Sequence, residues 1–343
     1  MSLRIGFTGD VMLGRLVDDR QRDRSVDAVW GNTLERLRGL DGLVINLECV
    51  LSTRGRKWTR TRRPFHFRAD PDWAVPALER AGVDACALAN NHVLDYEEVA
   101  LRDTLAALDE AGIARSGAGE TIDEALEPAA FSVGDSNGGL DVAVVSFTDN
   151  TPEYAADEES PGTARVEFDV DDTTMRRRVR KAFERARETE PDLLVASLHW
   201  GPNMVTEPPA SFRAVGRWLA EEGVDIVHGH SAHVFQGIEV HDGTPIIYDA
   251  GDFVDDYAVD DERRNDRSFL FVLAVGPDGR PTDLRLHPTE IDGCAVHVAS
   301  PDAAAWARDR MRDLSEPFGT AFDRDGEALV LSLGDDESND GEI

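Results

Sequence analysis

The segment His228-Gly229-His230-Ser231-Ala232-His233 sets three imidazoles within one short stretch. Groups this polar are costly to bury unless they are hydrogen-bonded or bind something. Five further points along the chain carry donors directly after a short apolar run. They are Gly9-Asp10, Glu48, Asn90-Asn91-His92, His199-Trp200-Gly201, and Asp249 with Gly251-Asp252. Taken singly, a Gly-Asp reads as a turn and an Asn-Asn-His as a turn or helix cap. A lone His after a strand reads as a hydrogen-bonded structural residue. Together they point elsewhere: Asp, Glu, Asn and His gathered in one place make a mixed oxygen and nitrogen donor set. Such a set suits Mn, Fe or Zn better than Ca or Mg.

Gathering those donors requires the runs before them to be strands. Val/Ile/Leu/Phe-rich stretches bounded by Gly, Asp, Pro or Asn predict strands at Leu3–Thr8, Leu43–Leu47, Asp84–Ala89, Val142–Phe147 and Leu193–Leu198. The same pattern continues at Asp225–Val227, Thr244–Tyr248, Phe269–Val275 and Leu284–His287. Helical spacing predicts helices over Asp95–Ala111, Asp172–Glu188, after Pro208-Pro209, and around Asp302–Leu314. The first two thirds therefore read βαβ-like, with a covered sheet. Ligands in such sheets bind outside the carboxyl ends of the strands, where these donors fall. After Asp225 little helix separates the strands, which predicts a second, more antiparallel sheet. Residues 134–139 read as a turn, 154–162 as an acidic surface loop, and 334–343 as a disordered tail.

Between Arg54 and Arg63 lie Arg54, Arg56, Lys57, Arg60, Arg62 and Arg63, with Trp58 among them. Arginine forks suit phosphate and carboxylate groups, so this loop is a candidate rim for an anionic substrate. A solvated loop paired with nearby carboxylates is the alternative. The run Arg176-Arg177-Arg178 with Arg180 and Lys181 has Glu184 and Glu188 on the same predicted helix, and reads as a solvated, salt-bridged face. The chain as a whole has 36 Lys+Arg against 67 Asp+Glu, a net charge of −31 over 343 residues. That argues against nucleic acid or an anionic membrane as partner. With 41% hydrophobic residues the acidity is not that of a disordered chain. Lysine occurs only at Lys57 and Lys181, and an acidic, arginine-rich folded protein suggests adaptation to high salt. Cys49, Cys86 and Cys294 form no close pair, so a reducing compartment is expected. The opening MSLRIGFTGD enters a strand at once, without a secretion signal. No apolar run approaches membrane-spanning length. The expectation is a cytoplasmic protein. Neither a Gly-x-Ser-x-Gly elbow nor a P-loop is present.

The series Gly9-Asp10-Val11-Met12-Leu13-Gly14, Asn46-Leu47-Glu48, Phe67-Arg68-Ala69-Asp70-Pro71 and Ala89-Asn90-Asn91-His92 with Asp95-Tyr96 opens a longer pattern. His199-Trp200-Gly201, Gly229-His230-Ser231-Ala232-His233-Val234-Phe235-Gln236 and Tyr248-Asp249-Ala250-Gly251-Asp252-Phe253 complete it. In this order the motifs resemble the CapA family, the poly-γ-glutamate capsule biosynthesis family of the metallophosphatase-like superfamily. The resemblance implies a four-layer α/β/β/α sandwich with two stacked mixed sheets. It implies a CapA-type domain over 1–298, a C-terminal helix and extension over 299–333, and the acidic tail. It further implies one or two divalent ions held by Asp10, Glu48, Asn91, His199, His230 and His233, with His228 a lesser candidate. Glu48 stands where a bridging carboxylate would stand, and His92 where a group steadying the transition state or protonating the leaving oxygen would stand. Met12 and Glu48 depart from the superfamily, which carries His and Asp at those places. The implied function is metal-dependent hydrolysis of a phosphoester or related anionic linkage in capsule or exopolymer synthesis. The alternative is a non-catalytic accessory protein that binds an acidic polymer.

Overall fold

Along the strand Gly138–Thr148, Val142 and Val144 point to one side and Ala143, Val145 and Phe147 to the other, and all five are buried. A strand apolar on both faces needs a layer on each side. The computed structural model, which describes residues 2–135 and 138–334, supplies both. Its main strands are β1 (Leu3–Val11), β2 (Gly42–Leu47), β3 (Ala85–Ala87), β4 (Ala114–Ser116), β5 (Ala129–Asp135), β6 (Gly138–Thr148), β7 (Leu193–His199) and β8 (Ile226–His230). They continue with β9 (Ile238–His241), β10 (Thr244–Ile247), β11 (Asp252–Val254), β12 (Arg267–Val275), β13 (Pro281–Asp292), β14 (Ala295–Val298), β15 (Asp323–Asp325) and β16 (Ala328–Ser332). The main helices are α1 (Arg15–Gln21), α2 (Pro71–Ala81), α3 (Glu97–Ala111), α4 (Thr173–Glu188), α5 (Ala210–Glu221) and α6 (Pro301–Ser315).

The first sheet runs β15-β16-β13-β12-β1-β2-β3-β4, with β11 also beside β1 and β14 beside β13. The second runs β9-β10-β8-β7-β6-β5. Ile5, Phe7 and Val44 of the first sheet meet Val144, Val195 and Ile226 of the second in one shared core. Leu43, Ile45 and Leu47 face outward against Trp73 and Leu78 of α2 and Leu101 and Leu105 of α3. On the far side Val145 and Phe147 pack with Met175, Val179 and Phe183 of α4 and with Val215 and Leu219 of α5. The layering is therefore α/β/β/α, as the resemblance implies. Met311 of α6 and Leu329 and Leu331 of β16 bury in the inter-sheet core.

Two expectations are corrected and a third is refined. The strands after Asp225 do not form a sheet of their own. β8 and β10 extend the second sheet in parallel, whereas β12 pairs antiparallel with β1 and carries β13 into the first. Local composition showed strands without helices between them, but not which open edge each would join. The basic face of α4 is solvated and salt-bridged as expected, but its partners lie on other elements and not along its own helix: Arg180 meets Glu222, and Lys181 and Arg185 meet Asp123. Tyr154, placed at the head of a surface loop, is fully buried, and its hydroxyl donates to Asp95 at 3.1 Å. The turn expected at 134–139 lies partly, and the tail at 334–343 almost wholly, outside the described residues.

Candidate metal centre

Strand register brings the donors together. Asp10 near the end of β1 is the partner of Asn46 on β2 and of Asp252 on β11. His199, last in β7, is the partner of His230, last in β8. β1 runs parallel to β2 and β7 to β8, so Asp10, His199 and His230 stand near carboxyl ends, while Asp252 opens β11. Two glycines permit the close approach. A Cβ on Gly9 would stand 1.9 Å from the Gly251 carbonyl oxygen, and one on Gly229 would stand 2.1 Å from that of Tyr248.

Asp10 Oδ1 lies 3.6 Å from His230 Nδ1 and 4.0 Å from His199 Nδ1. Asp10 Oδ2 lies 3.4 Å from His233 Nδ1, which is 2.9 Å from Asp252 Oδ1. Glu48 Oε1 is 3.9 Å from His199 Nε2 and 3.7 Å from His92 Nε2. Asn91 Oδ1 is 3.1 Å from His199 Nε2. Two groups with metal-ligand spacing emerge among the described residues: Asp10–His199–His230 and Asp10–Glu48–His233–Asp252. Asp10 is the member common to both, the place the resemblance gave to Glu48.

The orphaned atoms are the test of fit. Asp10 Oδ2, both Glu48 oxygens and Asp252 Oδ2 are buried without a hydrogen-bond partner among the described residues. Unpaired buried carboxylate oxygens cost several kcal/mol, so this cluster calls for positive charge. Burial, then the Asp10 charge, push Glu48 well above the usual carboxylate range. Burial works against a charge on His233, yet Asp252 and Asp10 lift it well above its usual value. Burial holds His199 down at about 3 and His230 well below the ordinary imidazole range. Both therefore stay neutral, the form that ligates metals. The residues fit a divalent cation.

Supporting side chains aim these groups. Asn46 Nδ2 donates to Asp10 Oδ1 at 2.6 Å, and Asn90 Nδ2 donates to Asn46 Oδ1 at 3.2 Å. His92 Nδ1 pairs with Asp95 Oδ2 at 2.6 Å, and its ring stacks on Phe67 with centroids 3.8 Å apart. Burial lowers its pKa and Asp95 opposes the shift. With Nδ1 engaged, Nε2 faces Glu48. His228 does different work. Its Nε2 meets the Thr8 carbonyl at 2.7 Å and its Nδ1 meets Ser197 Oγ at 3.1 Å, so it ties β8 to β1 across the sandwich.

Over the centre lies a cavity of about 800 Å³, lined among others by Asn91, His92, His233, Arg63 and Arg15. Of the basic loop only Arg63 reaches it, donating to Thr151 Oγ1 at 2.6 Å and to the Asn91 carbonyl. Arg54 pairs with Asp103, Arg60 lies over Trp58, and Arg56 and Arg62 are exposed away from the lining. Buried Trp58 pins the loop, its backbone N–H donating to the Asp95 carbonyl, and so divides these arginines between solvent and cavity. Sequence reasoning left Asp252 and Arg15 out of the candidate site. Asp252 carried the same strand-end signal as the others. Arg15 carried none, since its place depends on Asp256 and on Phe65 and Phe67, all distant in sequence.

Carboxylate, amide and imidazole side chains from two stacked sheets thus converge on one candidate metal centre. The sequence model of the family described as "Bacterial capsule synthesis protein PGA_cap" matches residues 4–257, and the chain belongs to that family. It is 32% identical over 301 residues, 84% of this chain and 77% of the relative, to a Mycobacterium tuberculosis (strain H37Rv) protein described as "Probable polyglutamine synthesis accessory protein". It is 30% identical to the "Capsule biosynthesis protein CapA" of Bacillus anthracis, over 74% of this chain and 60% of that protein. A solved structure described as a novel phosphatase of Mycoplasma pneumoniae superposes with a TM-score of 0.49 at 13% identity, covering 89% of this chain and 97% of that one. Among the described residues no helix is long and apolar enough to cross a membrane.

Proposed function

We propose that the protein is a divalent-metal-dependent hydrolase of phosphoesters or a related anionic linkage, acting in capsule or exopolymer synthesis. The carrying observation is the convergence of unpaired carboxylate oxygens from Asp10, Glu48 and Asp252 with His199, His230 and His233 beneath an open cavity. Asp10, Glu48, Asn91, His199, His230, His233 and Asp252 hold the ion or ions, of Mn, Fe or Zn type given the donor set. When bound, such ions supply Lewis acidity toward a phosphoryl oxygen and lower the pKa of water. Arg63 offsets the charge of the arriving anion. That anion also raises the proton affinity of His92, whose Nε2 then gives its proton to the leaving oxygen. Asp95 holds the imidazole in that orientation.

Elemental analysis of protein purified without chelator, combined with a Mn²⁺-supplemented assay on bis-(p-nitrophenyl) phosphate, tests this. Bound metal and turnover are expected, and His230→Ala is expected to lose both. Metal-loaded protein inert across a broad phosphoester panel would overturn the reading. The accessory description of the Mycobacterium tuberculosis relative favours a second reading, in which the same cavity holds an acidic polymer without cleaving it. It is expected to show retention of γ-linked polyglutamate by metal-loaded protein that has no turnover.

A further inference from the structure

Among the described residues, the large apolar side chains that stand exposed are Leu16 at 48%, Phe65 at 54% and Val259 at 49%. They are not scattered over the surface. Phe65 and Val259 line the cavity over the metal centre, and Leu16 and Val259 line a recess next to it. In a chain of net charge −31, the exposed bulky apolar surface is thus gathered at one mouth. Deeper in, Phe67, Tyr257 and Met204 continue that wall.

The same mouth carries positive charge. Arg15 and Arg63 line the cavity; Asp260 lines it too, and Asp256 pairs with Arg15, which leaves Arg63 the cation there without a carboxylate partner among the described residues. The Arg15 guanidinium carbon lies 5.1 Å from the Phe65 ring centroid and 5.5 Å from that of Phe67, and Asp256 Oδ1 holds the group at 3.1 Å. Cation–π contact and the ion pair fix it on the apolar wall. At about 800 Å³ the cavity has the size of sites that enclose whole organic ligands, well beyond a lone phosphoryl group.

We propose that the ligand of this centre is an amphiphilic anion, with a phosphoryl group at the carboxylate–imidazole end joined to an apolar group lodged on the Phe65–Val259 wall. The proposal rests on the hydrolase reading above and names its substrate class. A purely hydrophilic polyanion would leave that wall wet and would bring its repeated charges against an acidic surface.

Calorimetric titration of the Mn²⁺-loaded full chain with phenylphosphonate, methylphosphonate and inorganic phosphate tests it. Phenylphosphonate is expected to bind about tenfold or more tighter than methylphosphonate. In Phe65→Ser/Val259→Ser, two exposed positions whose change leaves the core intact, that ratio is expected to fall toward unity. Equal affinities in the unaltered protein, or a ratio unmoved in the double variant, would overturn the amphiphile while leaving the hydrolase reading standing. Failure of both phosphonates and of phosphate to bind would overturn both. Tighter binding of a γ-linked glutamate oligomer than of phenylphosphonate would overturn the amphiphile alone.

Discussion

Asp95 touches neither cavity nor carboxylate cluster, yet its Oδ2 accepts from the Phe67 N–H at 2.7 Å and pairs with His92 Nδ1, while its Oδ1 accepts from Tyr154. Three elements therefore meet on one carboxylate, and in the proposed hydrolysis its effect passes through His92. Asp95→Asn keeps the shape but allows the amide to present N–H to Nδ1, which reverses the tautomer. Turnover of an activated phosphoester is expected to fall about 100-fold with KM little changed. Bound metal by elemental analysis is expected to stay level. Parallel loss of metal would instead assign Asp95 a structural role.

At the scale of elements, β13 shows what an outer sheet face does to a titrating group. Leu284 and Leu286 enter the inter-sheet core, so Arg285 and His287 face the other way. There burial, followed by the charges of Arg36 and Arg285, holds His287 down at about 4, against an ordinary 6.5. The native imidazole stays neutral while the unfolded chain takes up a proton below pH 6.5, so this position loses stability as pH falls from there to about 4. Discounted for partial exposure, the loss is about 2 kcal/mol. Urea unfolding at pH 7 and near pH 4 is expected to show that His287→Gln shrinks the acid loss by about that amount. An unchanged difference would mean the native imidazole is charged after all. On other strands register does the positioning: Asp10, Asn46 and Asp252 are neighbours because β1 pairs with β2 and β11, and His199 and His230 because β7 pairs with β8.

For the whole molecule the deciding quantity is the surplus of carboxylates, 67 acidic against 36 basic residues. Even with every cation paired, 31 negative charges remain to repel one another. Salt weakens the surface pairs, worth ~0–1 kcal/mol each, and also screens the repulsion as the Debye length drops from about 10 Å at 0.1 M to about 3 Å at 1 M. The surplus wins, so raising KCl over that range is expected to lift the melting temperature by about 5 °C or more. A flat or falling trend in scanning calorimetry would sink the high-salt reading.

Much of this was legible in the chain itself. Apolar runs ended by Gly, Asp, Asn or His marked where strands stop, because strand formation and its termination are written in a few adjacent residues. That sufficed for the alternating α/β pattern and for donors at the strand ends, at Asp10, Glu48, Asn90-Asn91-His92, His199 and His228 to His233; the choice among them followed from the CapA resemblance. Tertiary structure alone decided which donors meet. Asp252 joins Asp10 through pairing across more than two hundred residues, and His228 turns from the carboxylates to the Thr8 carbonyl because the opposite sheet offers an acceptor there. It also replaced most of the predicted arginine rim with Arg15 and Arg63. Register, edge choice and loop direction depend on partners distant in sequence, and a one-dimensional pattern of residue types does not encode them locally.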